Sequence, residues 1–417
     1  MYKQRRINYL EQAAKFSLSV FFSGHAPQKS CDRNYEFSVN RNFFYLTGIE
    51  QENVILLLAK GDDQTAYYLF IAENDPVKVL WDGAGLTFEE ASNKSQLNIS
   101  DIRNLKLFDS TVSSLLLSTS RHAIFGNIET LYLDLERQNE ISDDTVAIKY
   151  AHQQKSLYPF LRIKSNQMPL AELRMVKDES EINAVKQAIE ITRKGLNQIM
   201  ENIRPGIGEY EAEAEFNYIL NKHQTKPSFN TIAAGGKNAT ILHYEANERM
   251  ILDRDLVLFD LGVSYGNYCS DISRVYPSNG IFTERQKAVY EVVLEANKKT
   301  IEWLKPGVTL KEFNDYGKAI LIAGAKKLGL IEEDSEIDNY YYHSLGHYLG
   351  LDVHDGGNYS KPIPEGALIT VEPGLYIAEE GIGIRIEDDI YVTKNGAINL
   401  SKDLIKEVDE IEAYMKK

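Results

Sequence analysis

"FDLGVSYGNYCSD", Phe259 to Asp271, is a pair of strand-like arms that each end on an aspartate. Asp is a poor strand residue and is seldom buried without a partner. Leu256, Leu258 and Val275 flank the pair, so free solvation is not the expectation. Taking "SYGN" as a four-residue turn and pairing Ser264 with Asn267 sets Asp260 directly opposite Asp271. Their Cβ atoms would then lie about 4.5–5.5 Å apart on one face. Carboxylates so placed repel one another unless a cation or a shared proton intervenes.

The same counting works in "ALITVEPGLYIAEEGIGIRIEDDIYV", residues 367–392. Pairing Ala378 with Gly381 brings Glu372 opposite Glu387, with Pro373-Gly374 expected to kink the first arm and permit a slip of one residue. Asp388 and Asp389 stay undecided. Between the two hairpins lies "HSLGHYLGLDVHD", which places His343, His347 and His354, three of the eight histidines, beside glycines that permit close backbone approach. Four carboxylates and an imidazole form a hard, oxygen-rich set suited to a pair of divalent metals. Cys269 is expected to point away from Asp271, which sets a thiolate zinc site aside.

The rest of the chain frames this site. Its 417 residues are enough for two domains, and the 43% hydrophobic and 26% charged fractions are those of a water-soluble globular protein. A net charge of -15 argues against nucleic-acid binding and suits the collection of cations. Two cysteines in unrelated contexts make no disulfide framework, and no apolar run approaches the length of a membrane span. The amino terminus reads as an amphipathic helix leading into a strand rather than a signal peptide, so the expectation is a cytoplasmic protein. "NVILLLAK", "AYYLFIAE" and "HAIFGNI" read as strands and "LTFEEASNKSQL" as a short helix, an α/β mixture. "KSNQMPLAELRMVKDESEI" reads as a hinge, followed by a helix capped by Asp178 or Ser180 with Ile182, Val185, Ile189 and Ile191 inward. Residues 188–223 and 289–329 both run helix, Pro-Gly, helix, a weak internal echo of two halves about a pseudo-twofold.

Asp260, Asp271, His347, Glu372 and Glu387, within "FDLG", "SDISR", "HSLGHYLGLDVHD", "VEPGLY" and "GIRIEDD", resemble in order and context the five metal ligands of the pita-bread metallopeptidases. The set is most similar to the proline-peptidase branch, aminopeptidase P and prolidase. "CDRNYEFSVNRNFFYLTGIE" and "LWDGAGLTFEEA" resemble that branch's amino-terminal domain, so the resemblance covers nearly the whole chain. Ser38 departs from a common arginine and Ser344 from a usual glycine; neither is a ligand position. The resemblance implies an α+β protein of two domains. An α/β aminopeptidase P-type domain would span residues 1–169. A pita-bread catalytic domain would span 170–417, with pseudo-twofold halves around a curved antiparallel sheet.

It further implies two divalent ions, manganese foremost with cobalt, zinc or iron also fitting, and hydroxide attack on the scissile carbonyl. Asp271 and Glu387 would bridge the ions, Asp260 would complete one, and His347 with Glu372 the other. Glu372 would also carry the proton. His243, in "ILHYEAN", would contact the scissile amide and His354 the carbonyl oxygen, while His343, Arg385 and Tyr376 would line the proline pocket. The implied activity is removal of the first residue from peptides with proline second, by a homodimer or higher homo-oligomer. The alternatives are an Xaa-Pro dipeptidase of the prolidase type, a creatinase-like hydrolase and a non-catalytic peptide-binding module. The last two usually lose several ligands, and all five stand here.

Overall fold

The computed structural model describes residues 1–119, 123–137 and 139–416. The chain divides into two compact units, Met1–Leu173 and Arg174–Lys417. In the first, helix Tyr2–Gln12 leads into strand Ser17–Phe22. That strand is central in a six-stranded mixed sheet, ordered 102–104, 65–71, 55–60, 17–22, 130–133, 162–165. Strands 17–22, 55–60 and 65–71 run antiparallel in sequence, and the outer connections are parallel. Leu18, Val20, Leu57 and Phe70 form its core with Phe108 and Tyr150 from two covering helices. One expected strand is corrected: 123–128 of "HAIFGNI" is turn and coil, with the strand at Thr130–Leu133, and His122 lies outside the described residues. Gly126 holds φ +72 there, a conformation that ends a strand rather than extends one.

The expected hinge stretch, within which the division between the two units falls, carries a helix, Gln167–Met175. Pro169 falls in its first turn, where a missing N–H costs no intrahelical bond. Asp178 then caps Glu179–Asn202, its side chain accepting from the Glu181 N–H while Glu181 reaches back. Ile182, Val185, Ile189 and Ile191 are all buried.

The internal echo in the second unit is structural. Helices Glu179–Asn202 and Glu284–Trp303 each end before Pro-Gly and are followed by Glu209–Lys222 and Leu310–Lys327. Gly206 N–H donates to the Ile251 carbonyl at 2.8 Å and Ile251 N–H to the Ile207 carbonyl at 2.8 Å. In the second half Gly307 donates to Ile363 at 2.9 Å and Ile363 to Val308 at 2.8 Å, the same two bonds repeated. Each helix pair precedes antiparallel strands. The first half orders them 232–235, 256–261, 272–277 and the second 368–371, 388–393, 396–399, with 374–377 paired to 382–385. The unit is therefore α+β, with its site residues on antiparallel ladders.

The opening hairpin has another register from the expected one. Ser264 pairs with Cys269 and Asp260 with Ser273, so the turn is the two residues Gly266 and Asn267, at φ +57 and +67. Two successive positive φ values match the twist of antiparallel arms; the expected pairing also leaves a two-residue loop, but one centred on Tyr265 and Gly266, which would ask a bulky tyrosine for the first positive φ. Asp260 and Asp271 are thus diagonal rather than direct neighbours. Between strands 256–261 and 263–265 the chain passes Gly262, where a Cβ would meet the Ser270 carbonyl oxygen at 1.9 Å. In the second hairpin Gly374 pairs with Arg385 and Val371 with Asp388. Both ladders keep the register that sets Glu372 across from Glu387, and the Pro373 kink shifts nothing.

Candidate metal centre

A cavity of about 420 Å³ opens where these ladders meet. It is lined by Asp260, Asp271, His347, Glu372 and Glu387, and also by His243, His343, His354 and Arg385. The structure thus brings all of these sequence-selected residues to one place. Tyr376 does not line the cavity but reaches its wall through hydrogen bonds described below.

Backbone geometry fixes the imidazole. A Cβ at Gly346 would meet the Thr370 carbonyl oxygen at 2.1 Å, so only glycine lets this loop lie against strand 368–371. Thr370 N–H then donates to the His347 carbonyl at 2.9 Å, and His347 N–H to Thr370 Oγ1 at 3.1 Å. His347 Nδ1 lies 3.0 Å from the Tyr348 carbonyl and so carries the proton, leaving Nε2 free to act as a ligand. Nε2 is 3.4 Å from Asp271 Oδ2 and 3.5 Å from Glu372 Oε1.

Ligand atoms of Asp271, His347 and Glu387 lie within 4.8 Å of one another, all three side chains being buried. Asp260 stands outside that tight group, with Oδ2 paired to Arg385 Nη2 at 2.6 Å. Its Oδ1 is buried with no hydrogen-bond partner among the described residues. Cys269 is turned to the Leu351 carbonyl, with Sγ at 3.8 Å, and is not in the group. Alternation alone would not turn it away, since residues two apart share a face of a regular strand. A break between strands 268–269 and 272–277 separates it from Asp271.

The electrostatics are those of crowded anions. Burial, then repulsion from Asp271 and Asp260, pushes Glu372 up to about 7. Burial and Asp271 hold Glu387 well above the carboxylate range, and burial with Asp260 raises Asp271. Burial disfavours the charged form of His347, but Asp271 and Glu372 overcome it and hold its pKa at about 9. An orphaned carboxylate oxygen, an imidazole Nε2 presented by a backbone-bound Nδ1 and several mutually repelling carboxylates are the donors a divalent cation requires.

Residues that the sequence reading left aside also hold the site. Ser273 Oγ donates to Glu387 Oε2 at 2.7 Å and accepts from Arg385 Nε at 2.8 Å. Thr370 Oγ1 donates to Glu372 Oε1 at 3.3 Å. Asp389, undecided from sequence, is fully buried and accepts the Asp271 N–H at 3.3 Å. Asp388 is no ligand: it pairs with Arg274 at 2.7 Å and with Lys406. Ser273 and Thr370 lie two residues from Asp271 and Glu372, so strand alternation was a signal for both.

Residues 183–394 match the family model of metallopeptidase family M24, and residues 2–125 match the amino-terminal domain of aminopeptidase P. The Xaa-Pro aminopeptidase of Haemophilus influenzae is 35% identical over 99% of this chain and 96% of its own. That of Escherichia coli is 34% identical over 99% and 97%. Among solved structures, a Bacillus anthracis protein named as a candidate aminopeptidase P superposes with a TM-score of 0.96 at 42% identity, covering 100% of this chain and 97% of that one. Zinc-substituted aminopeptidase P of E. coli in complex with product superposes at 0.88 and 31%, covering 99% and 97%.

Proposed function

The chain belongs to metallopeptidase family M24, with an aminopeptidase P-type amino-terminal domain and a pita-bread domain, and is a metal-dependent exopeptidase; from that premise we propose that it releases the first residue of peptides with proline at the second position. The observation that carries this reading is the single cavity onto which the acids, the histidines and Arg385 converge. Asp260, Asp271, His347, Glu372 and Glu387 hold two divalent ions, manganese foremost, with cobalt, zinc and iron suited to the same donors. Such ions supply Lewis acidity, lowering the pKa of a water and polarising a carbonyl.

The side chains do the rest. Glu372, steadied by Thr370, takes a proton from the attacking water on its carboxylate and returns it to the proline nitrogen as that nitrogen leaves. His243 contacts the scissile amide, and His354 its carbonyl oxygen. The proline ring packs against His343 and Arg385, which Tyr376 links from behind by hydrogen bonds: Arg385 Nη1 to the Tyr376 hydroxyl at 2.9 Å, and that hydroxyl to His343 Nε2 at 2.9 Å.

Titrating metal-free protein with manganese while following Ala-Pro and Ala-Pro-Ala tests the reading. Cleavage of the tripeptide that rises with metal supports it. Cleavage of the dipeptide alone replaces it with an Xaa-Pro dipeptidase, and activity without metal removes the mechanism. We place the enzyme in the cytoplasm, consistent with two cysteines, Cys31 and Cys269, that are not in a disulfide. Among the described residues no helix is long and apolar enough to cross a membrane. We also propose a homo-oligomer. Helix Pro76–Asp82 buries none of its residues and exposes Val77, Leu80 and Trp81, a patch that a second copy would cover. Light scattering of the intact protein and of Trp81→Ser checks this.

A further inference from the structure

Five acids line the metal cavity, and one of them, Glu245, has no place in the ligand set. Asp260 is paired with Arg385, Asp271 and Glu372 face His347, and Glu387 is held by Ser273. Glu245 makes no ion pair among the described residues. Its Oε2 accepts from Asn230 Nδ2 at 2.7 Å, and Asn230 lines the same cavity. A neutral amide orients the carboxylate without cancelling its charge.

The pair sits on anchored chain. The Tyr244 hydroxyl donates to Glu209 Oε2 at 2.8 Å. Asn247 Nδ2 donates to the Thr231 carbonyl at 2.8 Å, and its Oδ1 accepts the Ala233 N–H at 2.9 Å. Glu245 therefore lies between two held residues, and Asn230 lies next to Thr231. Phe229 and Leu242 line the cavity alongside them. Glu245 and Asn230 are both exposed to solvent, and a carboxylate oriented at the end of an apolar wall with no ion-pair partner among the described residues fits a side chain with a long hydrocarbon stem and a cationic head.

We propose that Glu245, oriented by Asn230, makes the enzyme favour peptides whose first residue is lysine or arginine. The inference rests on the function proposed above, which sets the proline ring against His343 and Arg385. That placement leaves the wall of Phe229, Leu242 and Glu245 to the first residue's side chain.

The test uses full-length, manganese-loaded protein with Lys-Pro-Ala, Met-Pro-Ala, Glu-Pro-Ala, Ala-Pro-Ala and Ala-Pro-Lys. Wild type should cleave them with kcat/KM highest for Lys-Pro-Ala and lowest for Glu-Pro-Ala, a spread that narrows with salt. Glu245→Gln should cut the Lys-Pro-Ala to Met-Pro-Ala ratio by about three- to fivefold. Glu245→Lys should place Glu-Pro-Ala above Lys-Pro-Ala. Equal ratios in wild type and Glu245→Gln overturn the inference while leaving the peptidase reading intact. So does a Glu245-dependent preference confined to Ala-Pro-Lys over Ala-Pro-Ala, which would put Glu245 beyond the proline. Failure of wild type to cleave any of the five peptides overturns the proposed function and the inference with it.

Discussion

Ser273 and Glu387 are joined twice. Glu387 N–H donates to the Ser273 carbonyl at 3.1 Å, and the Ser273 hydroxyl donates to Glu387 Oε2 at 2.7 Å. One residue belongs to the first half's ladder and the other to the second, so this joint ties the repeat together at the metal site. Arg274 reinforces it by donating to the Ser273 and Glu387 carbonyls at 2.9 and 2.5 Å. Ser273→Ala keeps the backbone bond but frees the carboxylate. Removing a group that orients a ligand lowers metal affinity by about 10- to 100-fold. Manganese calorimetry on Ser273→Ala should show that loss with an unchanged circular dichroism spectrum, and an unaltered Kd would show that Ser273 orients nothing.

Asp271 is buried, carries a raised pKa from burial and Asp260, and sits in the tight group with His347 and Glu387. Asp271→Ala should abolish activity and metal binding while leaving the fold intact, because it removes an anion from a repelling cluster. In wild type, each manganese ion bound at a hundredfold excess over its Kd should add about 2.7 kcal/mol of stability. In the variant the metal-dependent rise in Tm should vanish, and its metal-free Tm should not fall below that of metal-free wild type. A fully active variant would remove Asp271 from the ligand set.

Asp355 lies outside the metal set yet is almost completely buried, held by Lys177 Nζ at 2.9 Å and by Arg174. Burial alone would raise its pKa, but Lys177 and Arg174 hold it below the ordinary carboxylate range. A lowered folded pKa gives stability that is fully present above the unfolded value of about 3.9 and is lost as pH falls through the folded one. Asp355→Asn strands Lys177 in the interior, a loss of about 3–5 kcal/mol at pH 7. Urea unfolding should show that gap at pH 7 and a smaller one near pH 3; a gap independent of pH would refute the ion-pair account.

The acids were legible because alternation and turn length are arithmetic on the sequence. That arithmetic found the second register, since Ala378 to Gly381 closes an ordinary turn and Pro373 shifts nothing. It missed the first by two residues, since the two-residue loop is centred one residue later, on the left-handed pair Gly266 and Asn267 rather than on Tyr265 and Gly266. Asp260 and Asp271 still reach one cavity because a two-residue change of register keeps every side chain on its face. Pro169 misled in the other direction: a proline among polar residues reads as a break, yet in a first turn it starts a helix. Glu245 beside Asn230 was beyond reach, because two loop segments fifteen residues apart are brought together by the Asn247 and Glu209 anchors rather than by any period.

Tyr376 offers the sharpest test of the proline pocket. His343 Nδ1 lies 2.7 Å from the Ser344 carbonyl and carries the proton there, so Nε2 accepts from the Tyr376 hydroxyl. Burial, then Arg385, lowers the His343 pKa to about 4, so the ring is neutral at pH 7 and suited to accepting. The same hydroxyl accepts from Arg385 Nη1 at 2.9 Å. Tyr376→Phe keeps the ring but strands both neighbours, at about 1–3 kcal/mol for each unmet buried group. Because those neighbours frame the proline rather than the reacting atoms, the loss should fall on binding. KM for Ala-Pro-Ala should rise about tenfold or more with a smaller change in kcat. An equal fall in kcat and kcat/KM would instead place the hydroxyl at the reacting amide.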